Sequence, residues 1–154
     1  MHMPTPSTGH KKFELMAGTW EGTETMYPSP WDPKGGTAVG RTESRIAVGG
    51  FGLVIDYRQM RGDAVTFTGH GIYTFDPKSE LYAMTWIDSM GSPPEHFTGA
   101  FIDDVLVLGH GGPPMHVRMR SDYTQPNQIA SSMEMSEDGR SWKKLFDGAY
   151  HRVR

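Results

Sequence analysis

The residues best suited to chemistry in this chain are a histidine and an aspartate in neighbouring segments of alternating polarity. His70 stands between two glycines in "TFTGHGIYTF", which leaves room for a neighbouring side chain or a ligand. Asp88 follows Trp86 by two residues in "YAMTWIDSMG", so both would share one face of a strand. His96, one hairpin away, could meet Asp88 or Ser89 across the strands, and a histidine–aspartate pair can tune an imidazole for proton transfer. His70 and Asp88 are the predicted proton-handling groups if the protein is an enzyme. The alternative is a histidine hydrogen-bonded to a nearby threonine.

Other catalytic and metal chemistries have weak signals. Asp88, Ser89 and His96 superficially resemble a hydrolase triad, but no Gly-x-Ser-x-Gly turn accompanies them. The seven histidines include no His-x-His, His-Glu-x-x-His or two-histidine-one-carboxylate spacing, and the chain has no cysteine. It also lacks a glycine-rich phosphate loop between a strand and a helix. The sequence predicts neither a metal site nor a cofactor.

The composition of the chain indicates which classes of partner are not expected and which cellular compartment is. A net charge of -3 with mixed signs gives no basic footprint, so nucleic acid is not an expected partner. No apolar run approaches the roughly 20 residues that cross a bilayer, which argues against a membrane partner. The start, "MHMPTPSTGHKK", resembles no secretory signal, and Met1-His2 is interpreted as a cloning remnant. Together with the absence of cysteine, these features predict a cytoplasmic protein.

Short segments of strand-like residues between turns dominate the chain. The 19 glycines and 11 prolines fall without a repeat, as in a fold with many tight turns. Residues 1–6 are expected to be disordered or derived from a tag, and residues 7–154 to form one domain. One short helix is predicted from Ser7 or Thr8 to Met16. Ten strands are predicted at Thr19–Tyr27, Thr37–Val48, Phe51–Met60, Val65–Phe75, Glu80–Ser89, His96–Ile102, Val105–Gly109, Met115–Tyr123, Gln128–Ser136 and Ser141–Val153.

The hairpin connections favour an all-β, up-and-down antiparallel β-barrel of about ten strands with a short N-terminal helix. Closing the sheet removes the two edges that an open sheet would expose. The interior of such a barrel is either packed with side chains or holds a ligand. A two-sheet sandwich is the alternative architecture.

The segment "GTWEG" at residues 18–22, after a short helix, resembles the Gly-x-Trp opening of the calycin superfamily. That superfamily includes lipocalins, fatty-acid-binding proteins, avidins and nitrobindins. The resemblance implies that Trp20 plugs one end of the barrel beneath an arginine of the last strand. Arg152 in "GAYHRVR" would supply a cation–π contact. Both residues are expected to be structural.

A longer pattern resembles a bacterial calycin-like family without an agreed activity. It comprises "GTWEG", "YPSPWDPKGG", "GHGIYTFDP", "WIDSMG" and the closing "DGAYHRV", and it spans residues 13–153. Nitrobindins bind haem through a histidine near the C-terminus, which makes His151 a candidate haem ligand. Alternation opposes His151 to Arg152, so an inward Arg152 places His151 outside.

Two strands leave the direction of their charged side chains open. With Trp20 inward, Glu24 is also inward and needs a cation or hydrogen-bond donors. Arg45 facing inward would form a buried polar pair with Glu24, whereas Arg41, Glu43 and Arg45 could instead form a solvated outer wall. In strand eight, inward methionines would form a soft apolar wall with Met133. Inward arginines there would instead bind an anion such as a carboxylate.

The predicted function is binding of a small, largely apolar molecule with one polar end. Such pockets combine apolar walls with a few convergent polar groups. The segment "YPSPWDPKGG" is predicted to be a lid, with Trp31 over the opening. The predicted cavity and rim residues are Trp31, Tyr57, His70, Trp86, Asp88 and Met133, with Glu24 and Arg45 as the polar pair. Alternatives are an acid–base enzyme, a haem-binding protein and a homodimer with a solid interior.

Overall fold

In the computed structural model, which describes residues 2–111 and 114–154, ten antiparallel strands form one closed barrel. All ten predicted strands are present, and their boundaries differ from the predicted ones by at most two residues. They are β1 Gly18–Met26, β2 Gly36–Ala47, β3 Gly52–Arg61, β4 Ala64–Asp76, β5 Leu81–Asp88, β6 Glu95–Ile102, β7 Val105–His110, β8 His116–Asp122, β9 Gln128–Ser136 and β10 Lys143–Arg152. The turn signals and alternating polarity were sufficient to locate them.

The first and last strands close the barrel. β1 pairs with β10 from Trp20 opposite Arg152 to Met26 opposite Phe146, and with β2 on its other side. Every other strand pairs with its neighbours along the chain. The barrel prediction is confirmed, and the sandwich alternative is wrong.

The predicted N-terminal helix is present as two consecutive short segments, α1 Thr8–Lys11 and α2 Phe13–Met16. The amide of Lys12 donates to the carbonyl of Gly9, three residues back, so the hydrogen-bond pattern tightens between the segments. Lys12 keeps helical dihedral angles, and Ser7 is the N-cap. Residues 2–5 are exposed, whereas Met1 lies outside the described residues.

The helical segments pack over one end of the barrel, here called the closed end. Phe13 and Met16 are buried there against inward-facing residues of several strands. This buried cluster comprises Phe13, Met16, Leu53, Tyr73, Tyr82, Met84, Phe97, Leu106 and Leu108. The opposite end, where β1, β3 and β5 finish and β6 begins, is the open end.

The predicted contact between Trp20 and Arg152 is present at the closed end. Trp20 is 2% exposed, and its indole Nε1 donates to the carbonyl of Met16 at 2.9 Å. The guanidinium carbon of Arg152 lies 4.2 Å from the centroid of the indole. Arg152 also donates to the carbonyl of Ala17 and, through Nε, to Asn127 Oδ1 at 3.1 Å. One side chain therefore joins β10, the indole and the helical segment.

Replacing Arg152 tests this junction. We expect Arg152→Ala to lower the free energy of unfolding by about 2–3 kcal/mol, because it removes a cation–π contact and a charged hydrogen bond to Ala17. Urea unfolding followed by tryptophan fluorescence measures the change. His151→Ala is the matched control, since His151 is exposed on the opposite face; we expect a change within about 0.5 kcal/mol. Equal effects of the two variants would contradict the proposed role of Arg152.

Candidate functional site

An interior cavity of about 420 Å³ runs along the barrel. It extends from Met16 and Trp20 near the closed end to Asp88 and Glu95 at the open end. Its walls are mostly apolar and aromatic, with several hydroxyl groups. The lining residues are Met16, Trp20, Thr42, Ser44, Ile55, Tyr57, Gln59, Phe67, Tyr73, Met84, Trp86, Asp88, Glu95, Phe97, Val117, Met119, Ser121, Tyr123, Ile129, Ser131, Ser132, Met133, Phe146 and Tyr150. Of the predicted site residues, Tyr57, Trp86, Asp88 and Met133 line this cavity.

Glu24 is fully buried beside this cavity, but its partners differ from the prediction. Its carboxylate accepts hydrogen bonds from Tyr57 Oη at 2.7 and 2.8 Å and from Gln59 Nε2 at 3.1 Å. Tyr150 Oη is a third donor. We call Glu24, Tyr57, Gln59 and Tyr150 the carboxylate cluster. Three neutral donors here offset the cost of removing a negative charge from water.

The predicted pair between Glu24 and Arg45 is wrong. Thr42 and Ser44 face the cavity, so alternation along β2 places Arg45 on the outer surface, where it is exposed. Arg41, on the same outer face, donates to Glu21 at 2.8 Å. The solvated outer wall is the arrangement that β2 adopts.

Two members of the carboxylate cluster were missed, although alternation could have located them. Gln59 shares a face with Tyr57, and Tyr150 shares a face with the inward Arg152. Burial and the adjacent Glu24 carboxylate raise the pKa of both Tyr57 and Tyr150 above the ordinary 10.0. The phenols therefore remain protonated donors through the neutral range.

Gly40 provides the space that the buried carboxylate occupies. It lies opposite Gly22 in the pairing of β1 with β2, and a Cβ at Gly40 would overlap the carboxylate of Glu24. A larger residue would displace Glu24 from its three donors. The glycine is therefore part of the carboxylate cluster's packing.

At the open end, Trp86 and Asp88 form the polar rim that their spacing predicted. The indole Nε1 of Trp86 donates to Asp88 Oδ2 at 2.9 Å. Trp86 packs over Gly71, where an added Cβ would lie 3.0 Å from the ring, and over Gly69, where it would overlap the indole. The two glycines beside His70 do make room for a neighbouring side chain, and that side chain is Trp86.

His70 itself lies on the outside of the barrel. Its Nδ1 is 2.7 Å from Asp56 Oδ1, and its side chain is 41% exposed. It borders an outer groove of about 500 Å³ that Asp88 also reaches. The carboxylate of Asp88 accepts hydrogen bonds from the indole of Trp86 and from the backbone amide of Met90. The structure therefore pairs His70 with Asp56, and the two predicted proton-handling groups, His70 and Asp88, border the same outer groove with different hydrogen-bond partners.

Trp31 does not cover the cavity. Its side chain is 59% exposed and is absent from the lining. A turn between Ser29 and Asp32 shapes the loop, and Arg61 Nη2 holds it through Asp32 Oδ2 at 2.6 Å. This anchoring leaves the indole in solvent, so the predicted placement of Trp31 over the opening is not observed.

The choice left open for β8 is resolved in favour of an apolar wall. Val117 and Met119 face the cavity, as does Met133 of β9. Arg118 lies outside, where it donates to Glu134 at 3.0 Å and stacks 3.9 Å from the centroid of Trp142. This wall of the cavity is thus soft and uncharged.

The residues that line the cavity and are described by the structure include no histidine. His151, the candidate haem ligand, is exposed on the outer face of β10. Across residues 2–111 and 114–154, no cluster of three or more histidine, cysteine or acidic residues has the arrangement of a metal site. No helix in the same residues has the length and hydropathy to cross a membrane.

A comparison with protein-family models assigns the chain to a family. The model for "Protein of unknown function (DUF1579)" matches residues 5–152. The chain belongs to the DUF1579 family. No curated protein sequence matches it.

Two solved structures share the fold of this DUF1579 protein. Rv2717c from M. tuberculosis has a TM-score of 0.68 and 14% identity, over 96% of this chain and 99% of that one. The S-type phycobiliprotein lyase CPES from Guillardia theta has a TM-score of 0.58 and 10% identity, over 97% and 99% of the two chains. At these identities the similarity concerns the fold alone.

A methyl group at Gly40 tests the carboxylate cluster. We expect Gly40→Ala to lower the free energy of unfolding by about 1–3 kcal/mol, because the new Cβ displaces Glu24 in a packed interior. Chemical unfolding measures this change. Gly109→Ala is the matched control: it is also on a strand, and its Cβ would meet only Val117 O at 3.7 Å. A Gly40→Ala protein as stable as this control would contradict the packing described.

The raised pKa values of Tyr57 and Tyr150 predict that the folded protein loses stability in alkali. In the folded protein Tyr57 and Tyr150 keep their protons above pH 10, whereas the unfolded chain loses them near 10. The folded state then binds more protons, so the free energy of unfolding falls as pH rises above 10, by up to about 1.4 kcal/mol per pH unit for each group. Urea unfolding between pH 8 and 11 measures this slope. Tyr150→Phe should make the slope shallower, and an unchanged slope would contradict the prediction.

Proposed function

We propose that this DUF1579 protein binds a small, largely apolar molecule with one polar end inside its barrel. The observation that carries the proposal is the cavity of about 420 Å³, within the range of small-molecule sites in proteins. Burial of an apolar ligand surface against such walls releases water and supplies most of the binding free energy.

The distribution of polar groups supports a ligand held in one orientation. The methionine wall of Met119 and Met133 is apolar, whereas Tyr57, Gln59 and Tyr150 form a polar patch fixed in place by Glu24. Because hydrogen bonds to a buried carboxylate hold these side chains, they would not need to be ordered by the ligand. Preorganised polar groups lower the entropic cost of binding.

A neutral, environment-sensitive dye such as Nile red tests for an accessible apolar cavity. We expect saturable binding with a stoichiometry of one per chain and a blue-shifted emission. Native mass spectrometry of protein purified from its own host would give the mass of any molecule that co-purifies. The dye reports an accessible apolar interior, and the mass identifies the natural occupant.

A bulky side chain in the cavity should weaken dye binding. Ser131 faces the cavity from β9, and we expect Ser131→Trp to weaken Nile red binding at least tenfold, because the indole occupies the ligand's space. The adjacent Ala130 is exposed, so Ala130→Trp adds the same side chain outside. Ser131→Leu is a smaller alternative if the tryptophan variant does not fold. Equal dye binding by folded Ser131 and Ala130 variants would place the dye elsewhere and contradict the proposal.

A further inference from the structure

We propose that the polar end of the ligand is a protonated amine, so that the barrel selects lipophilic amines over carboxylic acids with the same apolar body. This inference rests on the proposed function, since it names the ligand class of the same cavity. It follows from the charges in the lining, the state of the carboxylate cluster and the aromatic residues at the open end.

The charged residues of the lining are all acidic. Among the described residues that border the cavity, Asp88 and Glu95 are the charged side chains, and no lysine, arginine or histidine accompanies them. Glu24 adds a third negative charge directly behind the wall. A ligand carboxylate would therefore enter a region of negative potential without a cation to pair with.

Three arginines near the cavity are directed to other partners, whereas Arg41 and Arg58 border the outer groove that Asp88 also reaches. Arg61 at the open end pairs with Asp32 at 2.6 Å, and Arg118 pairs with Glu134 outside the barrel. At the closed end, Arg152 lies over Trp20 and donates to Ala17. These partners keep the three guanidinium groups from neutralising the cavity.

The carboxylate cluster presents acceptors to the cavity. Tyr57, Gln59 and Tyr150 each direct a donor to Glu24, and Tyr57 Oη also accepts from Gln59 Nε2 at 3.2 Å. Lone pairs on the Gln59 carbonyl and the Tyr150 hydroxyl are then the acceptors available to a ligand. The other polar groups of the wall include serine and threonine hydroxyls, which can donate or accept. An ammonium group has donors only, so it suits this set of oxygens better than a carboxylate does.

Aromatic rings lie beside the acidic rim, since Trp86 contacts Asp88 and pairs with Glu95 across the strands. The ring of Tyr57 lies 6.0 Å from that of Phe67 and 6.3 Å from that of Trp86. Trp86 in turn orients Asp88 through its indole hydrogen bond. Ring faces attract organic cations, and a carboxylate beside them adds a charge-assisted hydrogen bond.

Three ligands that carry the same decyl tail separate the effect of head-group charge on affinity from the effect of apolar burial. Decylamine, decanol and decanoate compete with Nile red at pH 7 and low ionic strength, where the first is positive, the second neutral and the third negative. We expect decylamine to bind at least about tenfold more tightly than decanoate, with decanol between them. Added salt should reduce the differences among the three affinities, because it screens the charges of the partly exposed acidic rim.

Removing the negative charges of Asp88 and Glu95 tests whether these two residues set the order of the three affinities. In Glu95→Gln, and further in Glu95→Gln with Asp88→Asn, we expect the ratio of decylamine to decanol affinity to fall. Asparagine can still accept the Trp86 hydrogen bond, and Glu95→Gln alone keeps the test valid if the double variant does not fold. Glu43→Gln, on the outer surface, is the control and should keep the ratio.

The outcomes distinguish this inference from the proposed function. Binding of all three ligands with decanoate as tight as decylamine would overturn the amine preference and leave the binding barrel intact. An amine preference unchanged in the rim variants would overturn the role of Asp88 and Glu95. Failure of all three ligands and of Nile red to bind would instead overturn the proposed function.

Discussion

The interior of this barrel is organised around one fully buried carboxylate, Glu24, which accepts hydrogen bonds from neutral donors. A charge in that position is tolerated only when donors surround it. Tyr57, Gln59 and Tyr150, which come from β3 and β10, provide those donors, and Gly40 on β2 provides the space. Four strands must therefore keep their register for Glu24 of β1 to be buried. The same contacts fix the polar wall of the cavity, so a requirement of stability also determines what the cavity presents to a ligand.

The two ends of the barrel separate charge of opposite sign. At the closed end, Arg152 lies over an indole face and donates to the carbonyl of Ala17, the residue that follows α2. At the open end, Asp88 and Glu95 border the cavity. The cation that the resemblance to calycins identified thus acts as a structural cap. The interior is left with acidic and neutral groups, the reverse of the arrangement expected if Arg45 had turned inward.

Alternation and turn chemistry were sufficient to predict the strands because alternation runs along whole strands and turn residues mark most of the connections between them. The Gly-Thr-Trp motif and the final arginine located the closed end because both signals are local. The partners of Glu24 were harder to predict, because Tyr57 is 33 residues away and its contact depends on the register of three strands. β2 carries polar residues on both faces, so periodicity alone could not choose between an inward and an outward Arg45. The glycines beside His70 indicated a close approach correctly, but they could not show that Trp86 approaches from the inside while His70 faces outward.

The serines and threonine of the lining explain how a barrel with a good apolar core at one end keeps a cavity along its length. Larger apolar side chains at these positions would fill the space and gain the burial energy that a cavity forgoes. Thr42, Ser44, Ser121 and Ser131 instead present small hydroxyls to the cavity. Removing a neutral hydroxyl from water costs less free energy than removing a charged group. The apolar body of a ligand would therefore displace solvent from these hydroxyls with a modest loss of free energy. The charged residues of the lining, Asp88 and Glu95, lie at the rim, where the charged end of the proposed ligand would remain near water while its body is buried.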